Sequence, residues 1–270
     1  MTALLSSELR TLFRRRRTWA MLAVLAAGPV FLGLAVRLSG DEPGPGEGPV
    51  FIDRITQSGL FVSVVALAFS IPFFLPVTTA VVAGDSVAGE ASLGTLRYLL
   101  TGPAGRTRLL LVKAVATLAF AVAAVGTILV VGAVLGAALF GVGPVPTLSG
   151  STMGSAESSG RIALVGLYAL VSLLGLLAVG LLVSTLTDVP VGAMAATVIV
   201  AIAAQILGSI PQLDWLHPWL LTRYWYGFAD MLRDPVAWDG LRGNLMLQLG
   251  YVGVLGSLAW ARFTTKDVLS

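Results

Sequence analysis

The sequence predicts an all-α, polytopic membrane protein, and three observations lead to that fold class. Of the 270 residues, 56% are hydrophobic and 11% are charged, and the mean hydropathy is +0.90. Soluble chains carry about 25% charged residues, because a polar surface has to face water. Six apolar runs lack Asp, Glu, Lys, Arg and His, and each is near the ~20 residues that a helix needs to cross hydrocarbon. The basic residues also concentrate in alternate gaps between those runs. We therefore expect residues 1–270 to form a single transmembrane domain.

The first element is a short amphipathic helix within residues 1–18. Leu5, Leu9, Leu12 and Phe13 recur at the helical period, and residues 14–17 are all arginine. Such a helix lies in a membrane interface with its arginines near anionic headgroups. A plain basic anchor for the first span explains the same residues, and both interpretations stay open. The apolar run that follows is long for a signal peptide and precedes no small-x-small cleavage site, so we expect an uncleaved span.

The six predicted spans cover residues 19–36, 59–83, 114–140, 162–186, 189–208 and 245–261. In the second span Pro72 and Pro76 each remove a backbone donor, so that helix should bend or break near its middle. The bend could act as a hinge, or it could be a fixed bend that fits the packing of the helix. In the third span Gly132 and Gly136 form a small-xxx-small pattern, which favours close helix packing and, as an alternative, a dimer seam. Residues 187–189 leave room only for a tight hairpin.

Two of the remaining segments differ in character. Residues 39–49 are rich in Gly, Pro, Asp and Glu and predict a flexible connector. Residues 209–243 hold four of the six tryptophans and three prolines, a composition typical of headgroup depth. We interpret them as a re-entrant pair of short helices that dip into the outer leaflet, because backbone inside hydrocarbon needs internal hydrogen bonds. An interfacial loop with an aromatic belt is the alternative.

The distribution of charge predicts the orientation. With a cytoplasmic N-terminus, the inner segments carry 11 of the 17 Lys and Arg residues, and the outer segments carry nine of the 14 acidic residues. Cytoplasmic segments of membrane proteins have this excess of basic residues. Both termini should therefore be cytoplasmic.

Several kinds of chemistry are excluded by what the chain lacks. There is no cysteine and a single histidine, which excludes thiolate metal sites and leaves little for an imidazole site. Ion-coupled carriers place ionisable groups inside their spans, whereas Gln205 and Gln248 are the long polar side chains here. Neither of the two lysines, Lys113 and Lys266, lies in a glycine-rich phosphate-binding loop. Any ATP hydrolysis must therefore come from a separate subunit.

The loop of residues 84–108 has the most specific pattern. It contains Asp85 and Glu90, continues through a short amphipathic stretch at residues 93–100, breaks at Gly102-Pro103 and resumes with basic residues. One interpretation is a helix along the membrane face, rigid enough for a soluble partner to push. The other is an ordinary interfacial loop with positive-inside arginines.

These residues resemble the loop between the second and third spans of the type 2 permeases of ATP-binding cassette transporters, the ABC-2 family. The shared pattern is Glu90-x-x-x-Gly94-Thr95-Leu96-x-x-Leu99-Leu100-x-x-Pro103-x-x-Arg106-x-x-Leu109-Leu110-x-x-Lys113. Gly105 departs from it, since many relatives carry a bulkier or polar residue there. The order of elements also resembles that of the family over nearly the whole chain: an N-terminal helix, six spans and an elaborated segment before the last span.

The resemblance implies a coupling helix that docks into an ATPase subunit. The implied coupling residues are Asp85, Glu90, Gly94, Thr95, Leu96, Arg97 and Arg106. Glu90 would make the chief polar contact, Arg106 and Lys113 would fix the start of span three, and residues 1–18 would be the connecting helix. The chain itself would bind no cofactor, because ATP and Mg belong to the partner. Two ATP-binding subunits, a second permease chain (identical or paralogous) and membrane lipid are the implied partners, and no nucleic acid is expected.

The resulting hypothesis is the permease subunit of an ATP-driven exporter in a bacterial plasma membrane. Its cargo would be lipophilic: a drug or antibiotic, a lipid or a lipopeptide. Spans two and five would line the path, with Phe73, Thr78, Thr79, Thr197 and Gln205 along it. The alternatives are a non-transporting scaffold or sensor-associated subunit and an ion-coupled carrier, the latter disfavoured by the charge-free spans.

Overall fold

The chain folds into a bundle of long apolar helices. The computed structural model describes residues 2–39, 58–96, 105–143, 145–146 and 152–265. The helices are α1 (Thr2–Arg14), α2 (Arg16–Ser39), α3 (Phe61–Ser70), α4 (Phe74–Ser92), α5 (Arg106–Phe140), α6 (Ser155–Leu186), α7 (Pro190–Gly208) and α8 (Trp238–Thr265). Strands β1 (Val145–Pro146) and β2 (Thr152–Met153) form a two-residue antiparallel pair. Of the connector predicted at residues 39–49, Ser39 is instead the last residue of α2; residues 40–49 and the stretch at 97–104 lie outside the described residues.

The described helices are long and apolar enough for a multi-pass membrane protein. Five of them, α2, α5, α6, α7 and α8, each meet the length and hydropathy of a membrane span, and the bent pair α3 and α4 would make a sixth if it is one span. Several helices begin before the predicted spans. The prediction followed apolar residues alone, whereas the helical hydrogen bonds continue through polar residues at the helix ends. Thus α6 already begins at Ser155 and α8 at Trp238.

The predicted bend in the second span is confirmed. Helices α3 and α4 meet at 60° across residues 71–73. Pro76 lies in the first turn of α4, where a missing N–H group costs no helical bond. The carbonyl of Pro72 would normally accept from residue 76, which has no N–H, and the side-chain amide Nε2 of Gln205 donates to it instead at 2.7 Å. This bond from α7 satisfies the acceptor that the proline leaves open.

The small-residue pattern in α5 packs within the chain. A Cβ atom added at Gly132 would lie 2.7 Å from the Cα atom of Ser63, and one added at Gly136 would lie 1.8 Å from the carbonyl oxygen of Gly59. The hydroxyl of Ser63 donates to the Leu129 carbonyl at 3.0 Å. Close helix packing, the interpretation that the pattern favours, is therefore what these glycines allow between α5 and the start of α3.

The segment before α8 differs from its prediction. Three short 3₁₀ turns, Pro211–Leu213, His217–Trp219 and Gly227–Leu232, replace the expected pair of short helices. Pro211 and Pro218 each lie in the first turn of their segment and lack the N–H group with which the preceding helix or turn would continue, so α7 and the 3₁₀ turns stay separate. The segment nevertheless packs beside the middle of α6: the indole N–H group of Trp225 donates to the Ser172 carbonyl at 3.0 Å, and Trp225 is buried.

The first and the last described residues lie at the same end of the bundle. Lys113 of α5 pairs with Glu8 of α1, and Arg106 of α5 donates to the carbonyl of Thr264 in α8 at 2.8 Å. Ser184, near the end of α6, reaches the last turns of α4. We call this the α1 end. A small hydrophobic cluster lies there, formed by Val87, Leu96, Leu109, Leu110, Leu181, Ala259 and Phe263.

Candidate functional site

The Gly94-Thr95 part of the loop pattern ends helix α4. Gly94 has a φ of +69°, a left-handed conformation that costs residues with a Cβ atom about 1–2 kcal/mol. Its N–H group donates to the Ala91 carbonyl, and the N–H group of Thr95 donates to the Glu90 carbonyl, each at 3.0 Å. These two bonds form a Schellman motif, which satisfies the last carbonyl groups of a helix. The glycine is therefore required by the backbone at this position.

Replacing Gly94 with alanine should lower the free energy of unfolding by about 1 kcal/mol, because the left-handed backbone is unfavourable for alanine. Thermal unfolding of the purified protein in detergent measures the change. Gly192→Ala is the matched control: its Cβ atom would meet only ordinary contacts, the nearest at 3.8 Å, so its stability should stay the same or rise slightly. Equal effects of the two substitutions would contradict this role for Gly94.

Leu96 anchors the chain directly after the helix end. Its side chain is buried in the small cluster at the α1 end, together with Leu109 and Phe263. The loop is thus held on one side by the end of α4 and on the other by the start of α5. Arg97 and the rest of the expected coupling helix lie outside the described residues.

A buried lysine connects three helices at the α1 end. The Lys113 side chain is 1% exposed, and its Nζ atom lies 2.6 Å from Oε1 of Glu90 and 3.1 Å from Oε1 of Glu8. The Glu90 side chain is 18% exposed, and its second oxygen, Oε2, has no hydrogen-bond partner among the described residues. A buried charge is costly unless it is paired, so this arrangement favours one relative position of α1, α4 and α5.

A second charged group ties the junction of α1 and α2 to α4. Asp85 accepts from Arg15 at 2.9 Å and also from Arg17. Arg15 separates α1 from α2, and the hydroxyl of Thr18 donates to the Leu12 carbonyl at 2.6 Å. The carboxylate of Asp85 is 11% exposed, whereas the side chains of Arg15 and Arg17 are 43% and 42% exposed, so water reaches the arginine side of this group. We call the two ion-paired groups, centred on Lys113 and Asp85, the charged cluster.

Neutral hydrogen bonds extend these connections to α6. The hydroxyl oxygen of Ser184 accepts from the N–H groups of both Val87 and Ala88, each at 2.9 Å. The last two turns of α4 are therefore joined to α1, α5 and α6. No group of three acidic or histidine side chains that could hold a metal ion occurs in the part of the chain described above. The arrangement is suited to transmitting a movement of α4 to its neighbours.

The five residues expected along a path have different surroundings. Phe73 is 54% exposed, and Gln205 is partly exposed while bonded to Pro72. Thr78, Thr79 and Thr197 are buried, and their hydroxyl groups donate to carbonyls of their own helices. Gly84 lets α4 and α7 approach closely, since its Cβ atom would lie 2.7 Å from the Met194 nitrogen. In this arrangement the three threonines face the interior of the chain.

The sequence pattern contains both Glu90 and Lys113 but does not predict their ion pair. The contacts of Glu8 and Ser184 were not predicted either, and their partners are more than 90 residues away along the chain. One signal was present, since Lys113 lies one residue before a span without charges and an ammonium group there needs an acidic partner. Which carboxylate supplies that partner depends on the packing of helices.

Comparison with known families gives a match over most of the chain. The family model described as ABC-2 family transporter protein matches residues 2–219 of the chain. A search of curated proteins found no match.

Proposed function

This chain belongs to the ABC-2 family of transporter proteins, and from that premise we propose that it is the permease subunit of an ATP-driven exporter. Membership of the family implies a membrane subunit that works with an ATP-binding partner. Our proposal adds the direction of transport, the lipophilic cargo and the role of the α1 end in coupling.

The observation that carries the proposal is the connection of the loop to four helices. The loop leaves α4 at the Gly94 helix end and is anchored by Leu96. The charged cluster and Ser184 join that end of α4 to α1, α5 and α6. A force applied by a partner to residues 93–105 would therefore move the end of α4 together with its neighbours.

The remaining organisation follows from the family and the charge distribution. We propose six spans, with α3 and α4 as one broken span, and the α1 end in the cytoplasm of a bacterial cell. Helix α1 acts as the connecting helix in the inner interface. Two ATPase subunits, which bind ATP and Mg, dock at this end of a dimer of permease chains. The re-entrant segment expected at residues 209–243 is limited to residues 209–237, because α8 begins at Trp238; its contacts beside the middle of α6 support that placement.

We propose that the cargo passes along the faces of α3, α4 and α7. Phe69, Phe73, Ile199 and Ile206 are among the large apolar side chains exposed there, which suits a drug, lipid or lipopeptide better than a sugar or an ion. Phe73 and Gln205 would meet the cargo first. Thr78, Thr79 and Thr197 would reach it only after α4 and α7 separate.

The test replaces an exposed residue of the loop. Leu93 is 73% exposed at the end of α4, so Leu93→Ser should leave the fold intact. We expect it to reduce cargo-stimulated ATP hydrolysis of the co-purified complex severalfold, because a side chain that fills a pocket at the centre of an interface contributes more than ~1 kcal/mol of binding.

Leu186→Ser is the matched control, since Leu186 is 55% exposed at the same end of the bundle but lies at the α6–α7 hairpin. It should retain stimulated turnover. If both variants behave like the unchanged protein, the loop is not the coupling site. A bound ATPase whose turnover never responds to cargo would favour the scaffold function instead.

A further inference from the structure

An apolar groove lies between α5, α6 and α8, away from the proposed cargo path. It has a volume of about 500 Å³ and extends to Thr107 and Trp260 at the α1 end of the bundle. Leu111, Leu118, Val252 and Trp260 line it and are 36–50% exposed. The side of α8 that faces the groove contains Gly253 and Gly256, and a Cβ atom at either would meet nothing within 4 Å. The absence of side chains at these two positions keeps the groove open.

The dimensions of the groove match one leaflet of a bilayer. Its lining on α5 runs from Thr107 to Leu118, which is about 16 Å along a helix axis. Half of a hydrocarbon core is about 15 Å thick. An extended acyl chain of a lipid in the leaflet at the α1 end would therefore fill the groove over its length.

The mouth of the groove has the polarity of a membrane interface. The indole N–H group of Trp260 donates to the hydroxyl of Thr107 at 2.9 Å, and tryptophan prefers the boundary between headgroups and hydrocarbon. Arg108 is exposed and shares a helix face with Leu111 and Val115, two lining residues. Among the described residues no carboxylate forms an ion pair with Arg108. An anionic headgroup at the mouth would complement this charge.

We propose that the groove binds one anionic phospholipid, with an acyl chain between α5 and α8 and the headgroup at Arg108. The site is separate from the cargo path, which the proposed function assigns to α3, α4 and α7. A lipid bound there fills the space between α5 and α8 and holds the Trp260–Thr107 contact at the membrane surface.

The test uses vesicles that contain phosphatidylglycerol with a photoactivatable diazirine on one acyl chain. The full chain is reconstituted and illuminated, and the labelled peptides are mapped by mass spectrometry. Labelling should concentrate on residues 107–118 and 252–260. Gly256→Leu should reduce it about tenfold, since a leucine side chain displaces the equivalent of about two buried methylene groups of the lipid.

Gly250→Leu is the matched control, because Gly250 is an exposed position of the same helix that does not line the groove. It should leave the labelling unchanged. Both substitutions raise helix propensity, so we expect both variants to fold, and size-exclusion chromatography checks this. Gly253→Leu is a second variant that fills the groove, and it should reduce the labelling as Gly256→Leu does.

Exchanging the headgroup for phosphatidylcholine should reduce the labelling severalfold. Arg108→Gln should remove this difference between the two headgroups.

Two outcomes would overturn the proposal. Labelling spread evenly over all exposed helix faces and insensitive to Gly256→Leu would mean that lipid contacts the groove without binding in it. A groove that stays unlabelled in the unchanged protein would mean that another protein chain covers it.

Discussion

Replacing Lys113 with methionine is expected to lower the free energy of unfolding by about 3 kcal/mol. The substitution keeps the volume of the side chain but removes the charge that pairs with Glu8 and Glu90. Breaking a buried ion pair by removing one partner typically costs 3–5 kcal/mol, because the other charge is left buried. We take the lower end of that range since both carboxylates are partly exposed. Chemical unfolding in mixed micelles measures the difference.

A double substitution tests whether the loss comes from the carboxylate that is left without its partner. Lys113→Met combined with Glu90→Gln should recover part of the stability, because the more buried carboxylate is then neutral. Arg108→Met is the control on the same helix: Arg108 is exposed, and surface substitutions usually change stability by less than ~0.5 kcal/mol. Equal losses for Lys113→Met and Arg108→Met would show that the buried ion pair does not stabilise the fold.

Replacing Gly136 with alanine should destabilise the protein by about 2–3 kcal/mol. The added Cβ atom would lie 1.8 Å from the carbonyl oxygen of Gly59 and 3.0 Å from a methyl group of Val62. The first contact is with backbone, which no rotamer change can relieve, so α5 has to move away from α3. Overpacking of this kind costs 1–3 kcal/mol or more. Thermal unfolding in detergent, at fixed protein concentration, measures the loss.

Gly126→Ala provides the opposite expectation on the same helix. A Cβ atom there meets nothing within 4 Å, so the substitution should leave stability unchanged or raise it by up to about 1 kcal/mol through helix propensity. Both glycines lie inside α5, and the difference tested is what an added Cβ atom would meet. A similar response at both positions would disprove the close approach of α5 and α3.

The elements of the fold were largely predictable because their signals are local. The apolar runs predict the long helices, and Pro72 and Pro76 predict the break between α3 and α4. The segment at residues 209–237 was predicted less well: its aromatic composition indicates depth in a membrane, but proline spacing turns it into 3₁₀ turns that pack on α6.

The sequence predicted which loop forms the candidate site. It did not predict the ion pairs and hydrogen bonds that its residues make. Gly94 and Thr95 were expected to belong to a contact with a partner, and their backbone bonds show that they also end α4. Glu90 was expected to face the partner subunit, and the structure pairs one of its oxygens with Lys113. That pairing depends on α5 lying beside α4, which no local pattern specifies.

The sequence by itself determined that the chain crosses a membrane, where its helices lie and which loop has a specific pattern. These properties follow from the cost of placing charged and unpaired backbone groups in hydrocarbon, which acts on each segment separately. Only the tertiary structure decided that Gln205 satisfies the carbonyl of Pro72, 133 positions away, and that Glu8 reaches Lys113. Those choices depend on which helices are neighbours and how each is rotated, and the packing of glycine and serine surfaces across the whole bundle sets both.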